Sequence, residues 1–119
     1  MKVKESMERD VAILSVSGNM MGGPETNALH EKVKSLIADG VKKVVIDLGK
    51  MKWMNSSGLG VLMACWGSLS RIAGNIKLAR ATEKVKSLLI ITQLLQFFDN
   101  YETVDRALAS FETDEKSSS

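Results

Sequence analysis

Met54-Asn55-Ser56-Ser57-Gly58-Leu59-Gly60 joins two segments of different hydrophobic period, and its reading decides the fold. Just upstream, Val44-Val45-Ile46-Asp47-Leu48 is a compact β-branched run, the pattern of a strand buried on both faces. Gly49-Lys50-Met51-Lys52-Trp53 reads as the connection that follows it. Downstream, Leu59, Leu62, Met63, Trp66, Leu69 and Ala73 form a helical stripe that Gly74 ends. The quoted stretch is therefore the point where a strand hands over to a helix.

Working outward, Val11-Ala12-Ile13-Leu14-Ser15-Val16 is a strand ended by Ser17-Gly18-Asn19. A weaker alternation through Val3, Glu5 and Met7 precedes it. The short gap at Glu8-Arg9-Asp10 predicts that the two pair as a hairpin. Gly22-Gly23-Pro24-Glu25 marks a helix start, with Pro in the first turn and Glu near the positive end of the dipole. Leu29, Val33, Leu36 and Ile37 give that helix one apolar face, and Gly40 stops it. Past Gly74, Ile76-Lys77-Leu78-Ala79 is a short strand. A helix from about Thr82 carries Val85, Leu88 and Leu89 and is read as continuing through Leu94-Leu95. Asn100-Tyr101 starts a further short strand, and Val104, Ala107, Leu108 and Phe111 fit a last helix. This alternation predicts a single α/β domain over residues 1–111. The opening hairpin makes its sheet mixed rather than fully parallel. Residues 112–119 are small, polar and unpatterned, and read as a disordered tail.

Composition narrows the function. With 119 residues, 45% hydrophobic and 25% charged, the chain suits one soluble domain with one sizeable core. No apolar run reaches the roughly 18 residues that span a bilayer, and the start lacks a secretion signal, so a cytoplasmic setting is expected. The net charge is only +2 and its cations are scattered without interleaved aromatics, which argues against nucleic-acid binding. One cysteine, Cys65, and one histidine, His30, cannot assemble a structural zinc site. Neither metal nor cofactor is expected. Cys65 lies among Leu62, Met63 and Trp66 and reads as packing, and His30 as a surface or boundary residue of its helix.

Two readings of the quoted motif stay open on residues alone. Ser56 can cap the helix by accepting a first-turn N–H, and that alone explains one hydroxyl. Against this, there are two serines, and Gly58 and Gly60 each cost about 1 kcal/mol relative to Ala inside a helix. Glycine there suits a close approach to the backbone. A hydroxyl at a helix N-terminus is also well placed to carry a phosphate, since free N–H groups and the dipole favour an anion. Enzymes fit poorly. The motif lacks the Lys-Ser/Thr ending of a P-loop and the spacing of a dinucleotide fingerprint, and its serines precede both glycines instead of sitting between them as in a hydrolase elbow.

The order of elements and the motif together resemble the STAS domain, and specifically the bacterial anti-sigma-factor antagonists. The resemblance runs from about Lys2 to Phe111. It is carried by VAILSVSGNM, the helix after GGPE, KKVVIDLGKMKWM, NSSGLGVL and NIKLARATEKVKSLL. It implies a four- or five-stranded sheet with helices packed largely on one side, in a protein that binds partners and is not an enzyme. The implied partners are an anti-sigma factor with serine-kinase activity, and a serine phosphatase that reverses the modification. The family's phosphorylated serine follows an acidic residue; it corresponds to Ser56, with Ser57 as second choice, and the acidic position is Asn55 here. The implied contact surface takes in Met54, Asn55, Ser56, Ser57 and Gly58, and the helix face bearing Val61, Ala64, Cys65 and Ser68. An alternative is that Val61 and Cys65 only widen the core stripe. The chain is expected to be a monomer when free. Alternatives in function are a STAS scaffold in a lipid-transport or stress-signalling assembly, and a small-ligand or nucleotide-binding domain using the Gly58/Gly60 backbone.

Overall fold

A computed structural model describes the backbone of residues 1–117 and the side chains of residues 1–113. Strands β1 (Lys2–Glu8) and β2 (Val11–Met20) form the hairpin, turning at Arg9, whose φ of 57° is left-handed. Helix α1 (Gly23–Ala38), strand β3 (Lys43–Met54), helix α2 (Ser56–Ser70), strand β4 (Asn75–Ala79) and helix α3 (Glu83–Ile91) follow. A 3-10 turn at Leu94–Phe97, strand β5 (Asn100–Tyr101) and helix α4 (Val104–Ser117) complete the chain. The five strands lie in sequence order, β1-β2-β3-β4-β5, with only β1 antiparallel to its neighbour.

That strand order explains the layers. Parallel crossovers in one sheet share one hand, so successive crossovers advancing in one direction put their helices on one face. Accordingly α1, α2 and α3 bury Leu29, Leu62, Leu69, Val85 and Leu89 against Leu14, Val44, Ile46 and Leu78. Alternation sends Val11, Val45 and Ala79 to the other face, where Ala107 and Phe111 of α4 cover them. Lys77 of β4 is 1% exposed on that side. Its Nζ donates to Ser110 Oγ at 2.7 Å and lies over the Phe111 and Tyr101 rings, tying α4 to the sheet.

Six features depart from the sequence reading. β2 runs on through Ser17-Gly18-Asn19 to Met20, and α2 ends at Ser70, leaving Ala73 outside the helix with a left-handed φ of 57°. The segment 49–53 is part of β3 and not a connection: after a bulge opposite Ser15/Ser17, β3 stays paired with β2 as far as Met20↔Met54. α3 ends at Ile91, because Gln93 takes a left-handed φ of 62° and the 3-10 turn restarts the chain in a new direction. The α2 cap is Asn55 and not Ser56. Finally, α4 carries helical backbone past Phe111 to Ser117, where the sequence reads as tail; Ser118 and Ser119 lie outside the described residues.

Candidate functional site

The first turn of α2 sits where β3 leaves the sheet beside the loop between β2 and α1. Asn55 has an extended backbone, and its Oδ1 accepts the Gly58 N–H at 2.9 Å, a normal N-cap bond. Its Nδ2 donates to the Met21 carbonyl at 3.1 Å, and its own N–H donates to the Met20 carbonyl at 3.2 Å. One side chain therefore caps α2 and ties it to the β2–α1 loop. Ser56 and Ser57 occupy the first two helical positions and are both exposed. Backbone N–H groups at those positions have no acceptor within the helix, so they face the region where the hydroxyls project.

The two glycines have different reasons. A Cβ on Gly58 would lie 2.1 Å from the Met20 carbonyl oxygen, so α2 meets the end of β2 with no room for a side chain. The close approach is made by the protein's own backbone. Gly60 is exposed and has open space at its Cβ position. Gly22, at φ +93°, lies under Ser57: a Cβ there would come within 2.8 Å of the Ser57 Cβ. Ser57 is thus pressed against the neighbouring loop, while Ser56 stands at the shoulder of the helix beside Asn55.

The expected contact surface needs correcting. Val61 and Cys65 belong to the core, at 7% and 0% exposure, and Met54 and Gly58 are buried as well. Helix α1 packs alongside α2 on that side and covers it, which a helical wheel of α2 alone does not reveal. Ser68 is half-buried at the same helix–helix seam, with its Oγ 2.8 Å from His30 Nε2. Asn55, Ser56, Ser57 and Ala64 keep accessible surface, and Gly60 joins them. His30 pairs with Ser68 and not with Ser56. Burial pushes the Cys65 thiol up to about 12, far from a reactive thiol. Burial, reinforced by Lys34, holds His30 below its ordinary value.

Two features escape the sequence reading. Asp47, 7% exposed on β3, takes Arg80 in a two-pronged pair: Arg80 Nε and Nη2 donate at 2.8 and 3.0 Å, and the Gly49 N–H donates to the same carboxylate at 3.0 Å. The guanidinium lies flat over Gly49, leaving no space for a Cβ there. These partners are 33 residues apart, so only the β3–β4 pairing brings them together. The second feature is an apolar groove of about 390 Å³ where the end of β3 meets α3, next to the α2 shoulder. Among the described residues no His, Cys, Asp and Glu cluster could hold a metal, and no helix is long and apolar enough to cross a membrane.

Known proteins share this fold. BtrV of Bordetella bronchiseptica, named as an anti-sigma factor antagonist, is 22% identical over 112 residues, covering 93% of this chain and 97% of its own. The crystal structure of an anti-sigma factor antagonist from Mycobacterium paratuberculosis superposes with a TM-score of 0.78 at 27% identity, over 92% of both chains. The anti-sigma factor antagonist SpoIIAA of Bacillus, solved in its unphosphorylated form, gives 0.71 at 17% identity, over 93% of this chain and 98% of that one. SpoIIAA has also been solved in its phosphorylated form, which gives 0.73 at 16% identity, over 92% and 99%. The STAS domain profile matches residues 3–107, and the chain belongs to the STAS domain family.

Proposed function

We propose that this protein is an anti-sigma-factor antagonist, a binding switch whose unmodified form holds an anti-sigma factor and is released when that partner's kinase activity phosphorylates Ser56. A serine phosphatase returns it to the binding form. The observation that carries this reading is the division of labour in the first turn of α2. Asn55 supplies the cap, so neither serine is needed for it, and both hydroxyls stand exposed at the positive end of a helix. The protein is the substrate of phosphoryl transfer and needs no nucleotide site. Ser56 is preferred over Ser57 because it corresponds to the family's modified position and because Ser57 is packed against Gly22.

A phosphate adds about −1.5 to −2 charges at pH 7. At the N-terminus of α2 the fold tolerates it. A partner lying on Ser56, Gly60 and Ala64 would have to desolvate it, at a cost of several kcal/mol when unpaired. A loss of about 2.8 kcal/mol already weakens binding roughly 100-fold, so no change of shape is required. The test is paired affinity capture from the native cell, using unmodified chain and chain carrying phosphoserine at 56. Anti-sigma factors with a serine-kinase sequence should be recovered on the first and depleted on the second. Equal recovery of such a partner on both would refute the mechanism.

A further inference from the structure

Strand β1 is one edge of the sheet and lies open along its whole length: every residue but the half-buried Val3 is exposed. It carries no proline, and its pairing with β2 runs without a bulge from Lys2↔Ser17 to Glu8↔Val11, so two devices that commonly blunt an edge are missing. The opposite edge, β5, is only Asn100–Tyr101. Arg9 and Asp10 make a two-residue turn, and its closing pair Glu8↔Val11 exchanges hydrogen bonds. Lys2, Lys4, Ser6 and Glu8 therefore direct their backbone groups to β2, while Val3, Glu5 and Met7 turn their N–H and C=O groups to the open edge.

The side chains along this edge have a self-complementary order. On the face where α4 packs, the row reads Lys2, Lys4, Ser6, Glu8, positive at one end and negative at the other. We propose that β1 pairs antiparallel with β1 of a second copy, about a two-fold axis through Glu5, so that two sheets join into one. Lys2 then lies opposite Glu8 of the second copy on the α4 side, and Val3 opposite its Met7 on the other side, each twice by symmetry. Met7, 47% exposed in the single chain, is covered by this pairing. Glu5 meets its own copy at the axis, where each carboxylate is held by Lys32 Nζ of α1 at 3.3 Å. Lys2, Lys4 and Glu8 have no ion-pair partner among the described residues, so the contact breaks no existing pair. Moving the axis to Lys4 opposes Lys4 to itself, and moving it to Ser6 puts Met7 against Glu5. A parallel pairing sets like charges side by side. An unrelated strand has no reason to carry the complementary order, whereas a second copy carries it by identity. The edge is shorter than the roughly 20–30 residues a side of a standard interface, so the dimer is weak and concentration-dependent. It revises the expectation of a free monomer. β2 lies between β1 and β3, so Ser56 stays outside the contact and the proposal does not rest on the switch.

The test is sedimentation velocity on the full chain from micromolar to millimolar concentration, where a reversible monomer–dimer equilibrium is expected. Lys2→Glu and Glu8→Lys should each weaken the dimer about tenfold or more, because each sets two like-charge pairs across the axis. The double variant Lys2→Glu/Glu8→Lys exchanges the charges on both copies and should restore it. Lys52→Glu, exposed on β3, should leave it unchanged. All these positions are exposed, and thermal unfolding at low concentration verifies each fold. On the wild-type chain, the amides of Val3, Glu5 and Met7 should exchange with deuterium more slowly as concentration rises, which carries the test if a variant is unstable. A chain that stays monomeric to millimolar concentration overturns the proposal. So does a dimer that the single variants leave intact, that the double variant fails to restore, that Lys52→Glu weakens equally, or that leaves exchange at those three amides unchanged.

Discussion

Asn55 Oδ1 accepts the Gly58 N–H while Asn55 Nδ2 donates to the Met21 carbonyl, so one amide both starts α2 and fastens it to the β2–α1 loop. An aspartate can do the first and not the second. Asn55→Ala should therefore cost about 1 kcal/mol, the usual worth of a side-chain cap. Asn55→Asp should stay within about 1 kcal/mol of wild type, since the charge gains from the helix dipole what the lost donor gives up. Urea unfolding of the three chains decides it; equal losses in both variants would mean that the cap bond is not what matters.

The glycines of the motif should respond in opposite directions. Gly58→Ala drives a methyl into the Met20 carbonyl, and backbone must move, so a loss of about 1–3 kcal/mol or more is expected. Gly60→Ala meets open space and should stabilise α2 by up to about 1 kcal/mol. Thermal unfolding of both variants checks the contrast. A destabilised Gly60→Ala would show that the first turn is packed differently.

Cys65 should behave as a core residue. With its thiol pushed up to about 12 by burial, almost none is thiolate at neutral pH. Iodoacetamide should leave the native chain unmodified and label it readily in concentrated guanidinium, as followed by intact mass. Fast labelling under native conditions would return Cys65 to the list of surface residues.

His30 gives the seam between α1 and α2 a pH dependence. It faces Ser68, with Lys34, Arg71 and Glu31 as charged neighbours, and burial holds its folded value below the ordinary 6.5. A lowered folded value means that the unfolded chain takes up the proton first. The stability contribution is thus complete above about pH 6.5 and is lost as pH falls through the lowered folded value. The melting temperature of wild type should drop over that range more than that of His30→Gln. Parallel curves would place the proton uptake elsewhere.

The parts that were legible in the sequence are those set by local period. Val44–Leu48, the stripe that begins at Leu59, except for its last member Ala73, and the Glu8-Arg9-Asp10 turn appear where their residues put them. What was not legible depends on neighbours distant in sequence. Gly49, Lys50 and Lys52 look like loop residues, yet β2 keeps them in the ladder through a bulge. Val61 and Cys65 look like one flank of a stripe until α1 is laid beside them. Gln93 carries no glycine or proline signal for the left-handed turn that ends α3's run. At the site, the sequence marks the two serines as hydroxyls at a helix start, while the cap lies one residue earlier, at Asn55. With Asn55 taking the Gly58 N–H, neither serine hydroxyl is needed as the cap.

The most direct measurement is phosphopeptide mass spectrometry of this protein recovered from its native cell, with phosphatase-treated protein as control. Phosphate on Ser56 in a fraction of the molecules, removed by the phosphatase and varying with growth conditions, is the expected result. A chain unmodified at Ser56 under every condition would contradict the switch, and would leave the first turn of α2 as part of a constitutive binding surface.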